Sequence, residues 1–218
     1  MRSLVWLLVL GLFIYRLYQN PAAVGRIRVL FLHAWPLWIC AAIWTSFSIL
    51  WEIASKNTSD DKTTESSLAR SLHVCMINVA LLLVFIPVPG LTQRFVPAST
   101  AIAILGLIFQ FAGLFFAVWA RRHLGRNWSG RISIKVDHQL IRTGPYRLVR
   151  HPIYTGFLGM LAASVLVSGE VHAVVGLALG IFAYWRKLRI EEGNLAAVFG
   201  ADWVAYRASS WALVPGLY

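Results

Sequence analysis

Residues Pro97–Ala120, PASTAIAILGLIFQFAGLFFAVWA, run for 24 positions without a charged side chain. A transmembrane helix needs about 20 mostly apolar residues, so this stretch reads as a membrane span. The rest of the chain agrees: of 218 residues, 58% are hydrophobic and 13% charged, and the mean hydropathy is +0.66. A soluble domain carries about 25% charged residues. Half that leaves too little polar surface for a water-facing globule, which excludes a soluble single domain, a disordered chain and a disulfide scaffold. The two cysteines, Cys40 and Cys75, sit alone in apolar runs and read as small buried hydrophobes.

Outward from this span lie further apolar runs at Leu4–Tyr18, Val29–Ile53 and Leu72–Val88. Beyond a polar gap come Ile153–Val167 and Val171–Trp185, separated only by Ser168, Gly169 and Glu170 as a tight hairpin. The expected fold is an all-α integral membrane protein of about six transmembrane helices. Residues 1–120 hold spans one to four, and residues 121–218 form a C-terminal catalytic region. Ala54–Ser71 is polar and of mixed charge, a solvated loop without chemistry. Pro87 to Gly90 is a turn, because proline and glycine cannot extend a helix. Asn78 and Gln110, the strongly polar mid-span residues, read as interhelical hydrogen-bonders.

With six spans, the N-terminus, the second and fourth loops and the tail share one side. That side collects sixteen lysines and arginines, against Arg16, Arg26, Arg28 and Arg94 opposite. The positive-inside rule makes the rich side cytoplasmic, with both termini on it. The net charge of +11 then reflects basic loops rather than a nucleic-acid partner.

Two stretches on that side exceed what spanning a membrane requires. The first is Arg121–Gly156, RRHLGRNWSGRISIKVDHQLIRTGPYRLVRHPIYTG. Its Arg131–Val136 alternates polar and apolar residues, a weak strand signal. Gly144-Pro145 is a turn, and Pro152 suits the first turn of a helix. His151 then stands at that helix's N-terminus, where free N–H groups and the dipole favour an anionic ligand group. The second is Arg186–Tyr218, where the last span's helix continues through Leu195. Lys187 and Glu191 share a face and Glu192 lies on a neighbouring one, and an ordinary ion pair is the plain alternative to a functional role. No spacing of His, Cys and carboxylate suggests a metal, and no glycine-rich phosphate loop follows a strand.

The segment G-P-Y-R-x-x-R-H-P-x-Y-x-G (Gly144–Gly156), followed by Glu191-Glu192, Phe199-Gly200 and a near-terminal Pro215-Gly216, resembles the isoprenylcysteine carboxyl methyltransferase family. More broadly it is similar to membrane-embedded methyltransferases that include phospholipid N-methyltransferases. The resemblance covers roughly the last 100 residues. It implies a cytoplasm-facing site for S-adenosyl-L-methionine, capped by the loop after span four and the C-terminal helix. The cofactor contacts it implies are His138, Leu140, Ile141, Tyr146, His151, Pro152 and Tyr154, completed by Glu191 with Glu192 beside it. It implies a lipophilic or prenylated acceptor whose anionic group meets Arg150 and Lys187. The family carries arginine where this chain has Lys187, and lysine offers no planar two-pronged contact to a carboxylate.

Methyl transfer from a sulfonium to a carboxylate joins opposite charges, so a water-poor pocket and in-line positioning favour it without a general base. An amine acceptor would have to be neutral, which asks for a base. Carboxyl O-methylation is therefore the leading expectation, with phospholipid N-methylation second. A sterol-reductase-like enzyme using NADPH shares the R-H-P-x-Y segment and a tail like Pro215–Tyr218. A non-enzymatic membrane protein, such as a small carrier or an assembly subunit, is the remaining alternative, and the nearly clean spans argue against a carrier.

Overall fold

The computed structural model describes residues 34–56, 58, 61–64, 66–128, 133–135 and 139–217. The expected span Leu4–Tyr18 and the start of Val29–Ile53 lie outside these residues, as does His138. Helix α1 (Trp35–Ser55) opens with a proline in its first turn, where a missing N–H costs no intrahelical bond. Helix α2 (Ser67–Phe85) starts earlier than hydropathy alone suggests. Ser66 caps it by accepting a hydrogen bond from the Ala69 amide at 3.2 Å. Helix α3 (Thr100–Leu124) ends in Arg121, Arg122 and His123, whose positive character suits the negative end of the helix dipole. Helix α4 (Pro152–Ser168) stops at Gly169, which takes the left-handed conformation at φ 69°, and α5 (Val171–Phe199) turns back from it. A short α6 (Ala201–Ala208) follows.

Among the described residues, α1, α2, α3 and α5 are long and apolar enough to cross a membrane, and α4 is a shorter apolar helix. The expected hairpin of the last two runs is therefore α4–α5. Among the described residues the fold is helical with one small sheet, which the all-α expectation did not include. Strand β1 (Asp61–Thr64) pairs antiparallel with β2 (Ser133–Lys135), which sits inside the alternating Arg131–Val136 stretch. Its partner lies in the loop expected to be merely solvated.

The helices pack through small residues. Gly113 of α3 faces Gly156 of α4 so closely that a Cβ on Gly156 would stand 2.7 Å from the Gly113 carbonyl oxygen. Such contact lets two backbones approach and gain dispersion energy where no hydrophobic drive exists between helices. Trp44, Phe157, Met160, Leu161 and Tyr184 fill the core between α1, α4 and α5. Gln110 is fully buried and donates from Nε2 to the Cys40 carbonyl of α1 at 3.1 Å, an interhelical bond as expected. Asn78 instead donates to Val74 of its own helix at 2.9 Å. Cys40 is buried, whereas Cys75 is exposed on α2, contrary to the reading of both as buried. Ile104, Ile108, Phe111 and Phe115 form an exposed stripe along α3, an apolar face suited to lipid.

Candidate active site

The site is assembled where α4 begins, at the end of the apolar part of α5. Ahead of α4, Gly144–Arg147 forms a 3-10 turn with Pro145 and Tyr146 buried. Gly144 adopts φ 58°, and a side chain there would also strike the His123 ring at 2.7–2.8 Å, so only glycine fits. His123 is held in turn by Thr143, its Nε2 lying 2.8 Å from the hydroxyl. Tyr146 packs with Ala120, Trp128 and Ile153, with Ile141 against them. Burial pushes its phenol well above the ordinary range, so it stays neutral. The Tyr206 hydroxyl of α6 donates to the Tyr146 carbonyl at 2.6 Å, tying the tail helix to this turn.

Leu148–His151 then runs beside the C-terminal segment. The amides of Arg150 and His151 donate to the carbonyls of Trp211 and Ala212 at 2.8 and 3.1 Å, and the Trp211 amide returns a bond to Leu148 at 3.2 Å. The Thr155 hydroxyl adds a bond to the Leu213 carbonyl at 2.7 Å. A strap of the last residues is thus sewn onto the residues that launch α4.

His151 is the N-cap residue of α4, and Pro152 sits in its first turn, as the sequence predicts. The α5 helix continues past Trp185 as a polar extension, which carries Lys187, Glu191 and Glu192 toward His151. Glu192 and Arg150 form a buried pair, Nε to Oε1 at 2.8 Å, with side chains 8% and 4% exposed. His151 Nε2 lies 3.3 Å from the same oxygen, and its Nδ1 lies 3.7 Å from Glu191. Tyr154 donates its hydroxyl to Glu191 at 2.5 Å and stacks on His151, with ring centroids 5.2 Å apart. Burial alone would raise the Glu192 carboxyl, but hydrogen bonds from His151 and Arg150 and their charges outweigh it and hold the group at about 2. It is a fixed carboxylate. Glu191, by contrast, keeps 34% of its side chain exposed and can reach a ligand.

Arg150 also donates to the carbonyls of Arg207 and Ser210. The sequence offered Arg150 and Lys187 as a pair facing an anion, and the two stand differently. Arg150 is directed into the protein. Lys187 places its Nζ 5.6 Å above the Tyr154 ring. Glu191 meets the Tyr154 hydroxyl and His151. Leu140 and Ile141 are half-buried.

Sequence reasoning missed several supports. Arg121 is buried, lies 4.3 Å over the Trp128 ring and donates to Gly125 at 2.8 Å and to Ala54 at the end of α1. Tyr184 leans on Tyr154 at 4.7 Å. Arg207 approaches Glu192 at 4.0 Å. Among the described residues, no group of His, Cys, Asp or Glu could hold a metal ion.

Fold and site together define a multi-pass helical membrane protein with an acid pair, an imidazole and a cation gathered under a C-terminal strap. Residues 102–197 match the Isoprenylcysteine carboxyl methyltransferase (ICMT) family, which bears out the resemblance read from the motif. The chain is 28% identical over 116 residues to a protein-S-isoprenylcysteine O-methyltransferase of Saccharomyces cerevisiae, covering 50% of this chain and 47% of that protein. It is 29% identical to protein-S-isoprenylcysteine O-methyltransferase A of Arabidopsis thaliana, covering 70% and 78%. The match thus spans about half of the yeast relative's length. Among solved structures, the eukaryotic intramembrane Ras methyltransferase ICMT aligns with a TM-score of 0.49 at 18% identity, covering 70% of this chain and 54% of that one.

Proposed function

We propose that this protein is an integral-membrane methyltransferase that uses S-adenosylmethionine to methylate the carboxylate of an isoprenylcysteine-type, lipophilic acceptor. The observation that carries the reading is the meeting of Glu191, Tyr154 and His151 at the start of α4, inside the stretch that matches the family. The donor set fits the cofactor. A half-exposed carboxylate beside stacked aromatic rings suits a ligand carrying a cationic sulfonium, an amino group and ribose hydroxyls. S-adenosylmethionine, when bound, supplies an electrophilic methyl group.

The chain's own residues do the rest. Glu191 binds the donor, and the Tyr154 hydroxyl fixes the direction of its carboxylate. Tyr146, Pro152, Leu140 and Ile141 line the donor's side, and the motif adds His138 to its contacts. Glu192 and Arg150 neutralise each other and anchor the strap, which makes Arg150 a positioning residue. Lys187, whose Nζ lies 5.6 Å over the Tyr154 ring, meets the acceptor carboxylate. The catalytic region is 121–218, on the cytoplasmic side when the positive-inside rule is applied to a six-span topology. The cofactor reaches the site from water, and the acceptor's tail enters from the bilayer.

Replacing Glu191 by Gln tests the reading. In purified, monodisperse protein it should abolish S-adenosylhomocysteine binding while the helical signal and unfolding midpoint persist. Unchanged affinity would overturn the assignment of Glu191.

A further inference from the structure

The outer surface of the C-terminal strap has no part in the reaction assigned above, and it has an unusual make-up. Val149 and Ala212 point inward and are fully buried, which by alternation turns Leu148 and Trp211 outward. Leu148 is 55% and Trp211 45% exposed, and Val214 and Leu217 extend the apolar patch. Exposed Arg147 and Arg207 border it. At its edge opens a cavity of about 380 Å³ lined by Arg150, Arg207, Ser209, Ser210 and Trp211. One carboxylate, Glu192, stands against the two arginines there, so the cluster keeps a net positive charge.

Depth within the membrane decides what such a surface meets. The apolar α4 begins at Pro152, immediately after the Leu148–His151 segment that the strap is sewn to. An α4 that enters the bilayer at Pro152 would put Leu148 and Trp211 at the boundary between hydrocarbon and headgroups, where tryptophan is favoured. In the six-span topology that the positive-inside rule favours, sixteen lysines and arginines fall on this side, the leaflet where anionic lipids concentrate.

We propose that the strap is a binding surface for anionic lipid. A lipid phosphate enters the cavity at Arg207, with Ser209 and Ser210 beside it, while Leu148, Trp211 and Val214 rest among the acyl chains. Because the amides of Arg150 and His151 are bonded to the strap, lipid that holds the strap also holds the residues leading into α4. The proposal is independent of which reaction the site performs.

Hydrogen exchange in nanodiscs tests it. Discs of pure phosphatidylcholine are compared with discs holding about one third phosphatidylglycerol. Exchange of the amides of Arg150, His151 and Trp211 should slow about fivefold in the anionic discs, the effect of one arginine near a charged surface. Exchange within α3 should not change. Arg207→Gln should remove the difference, and Arg207→Lys should restore most of it. Trp211→Ser should weaken the protection while leaving its salt dependence. Equal exchange in both discs, or a difference that survives Arg207→Gln, would overturn the proposal. So would inorganic phosphate reproducing the protection in phosphatidylcholine discs, since that would mark a small-anion site.

Discussion

Arg150 and Glu192 lie 42 positions apart, yet their side chains meet at 2.8 Å and are both buried. The pair joins three segments at one point: the residues before α4, the polar extension of α5, and the passage from the end of α6 into the strap, where Arg150 also engages the Arg207 and Ser210 carbonyls. Taking two charges out of water is costly, and the geometry repays it only while both partners are present.

Removing one partner strands the other. Arg150→Gln should destabilise the protein by about 3 kcal/mol, the usual cost of leaving a buried charge uncompensated. It should also raise proteolytic sensitivity after Arg207. Thermal unfolding in detergent with limited proteolysis checks this. A midpoint within a degree or so of wild type would mean that the strap is held by backbone bonds alone.

The depressed Glu192 carboxyl also predicts a pH effect. A group held at about 2, against an ordinary 4.5, stabilises the fold fully above 4.5 and loses that contribution as pH falls toward 2. The gap in unfolding midpoint between wild type and Glu192→Gln should therefore narrow steadily from about pH 5 to about pH 3. A constant gap would show that the carboxylate is not the stabilising form.

Gly156 and Gly159 lie three positions apart on α4 and should respond oppositely to alanine. A Cβ on Gly156 would press on Gly113 and Ala117 of α3 at 2.7–2.8 Å, whereas one on Gly159 meets nothing within 4 Å. Gly156→Ala should cost about 1–3 kcal/mol by overpacking. Gly159→Ala should be neutral or stabilising by up to about 1 kcal/mol through helix propensity. Unfolding midpoints of the two variants distinguish these outcomes.

Lys187 should affect the acceptor and spare the donor. Lys187→Gln should raise the acceptor KM about tenfold, as expected for a lost charged hydrogen bond, with S-adenosylhomocysteine affinity unchanged. Lys187→Arg should lower KM for carboxylate acceptors, since a guanidinium can offer two parallel donors. Steady-state kinetics with a prenylcysteine acceptor and direct donor titration separate the two effects. A matching loss of donor affinity would move Lys187 to the cofactor's side.

Hydropathy located the apolar helices among the described residues because lipid forces apolar residues into unbroken runs. Pro97–Ala120 lies almost wholly within Thr100–Leu124, and Ile153–Val167 within Pro152–Ser168. The start of α2 was illegible in that pattern, since Ser67–Arg70 is polar and its helix rests on the Ser66 cap. The motif brought His151, Tyr154 and the acid pair together on paper, and they do touch. Which acid is buried was not legible. Glu191 and Glu192 are neighbours of identical chemistry, and only the packing of Arg150 and His151 around one of them separates a fixed ion from a reachable one. Arg121 and Arg207 looked like topology determinants because orientation and burial leave the same mark in a sequence. The strap's bonds to Leu148, Arg150 and His151 are made by backbone groups, which no side-chain pattern encodes.

The central claim is that this site binds a methyl donor. Calorimetric titration of the purified protein with S-adenosylhomocysteine, and separately with NADPH, tests it most directly. The account predicts saturable binding of S-adenosylhomocysteine, lost in Glu191→Gln, and no heat with NADPH. Binding of NADPH instead, or no S-adenosylhomocysteine binding up to about millimolar concentration, would contradict it.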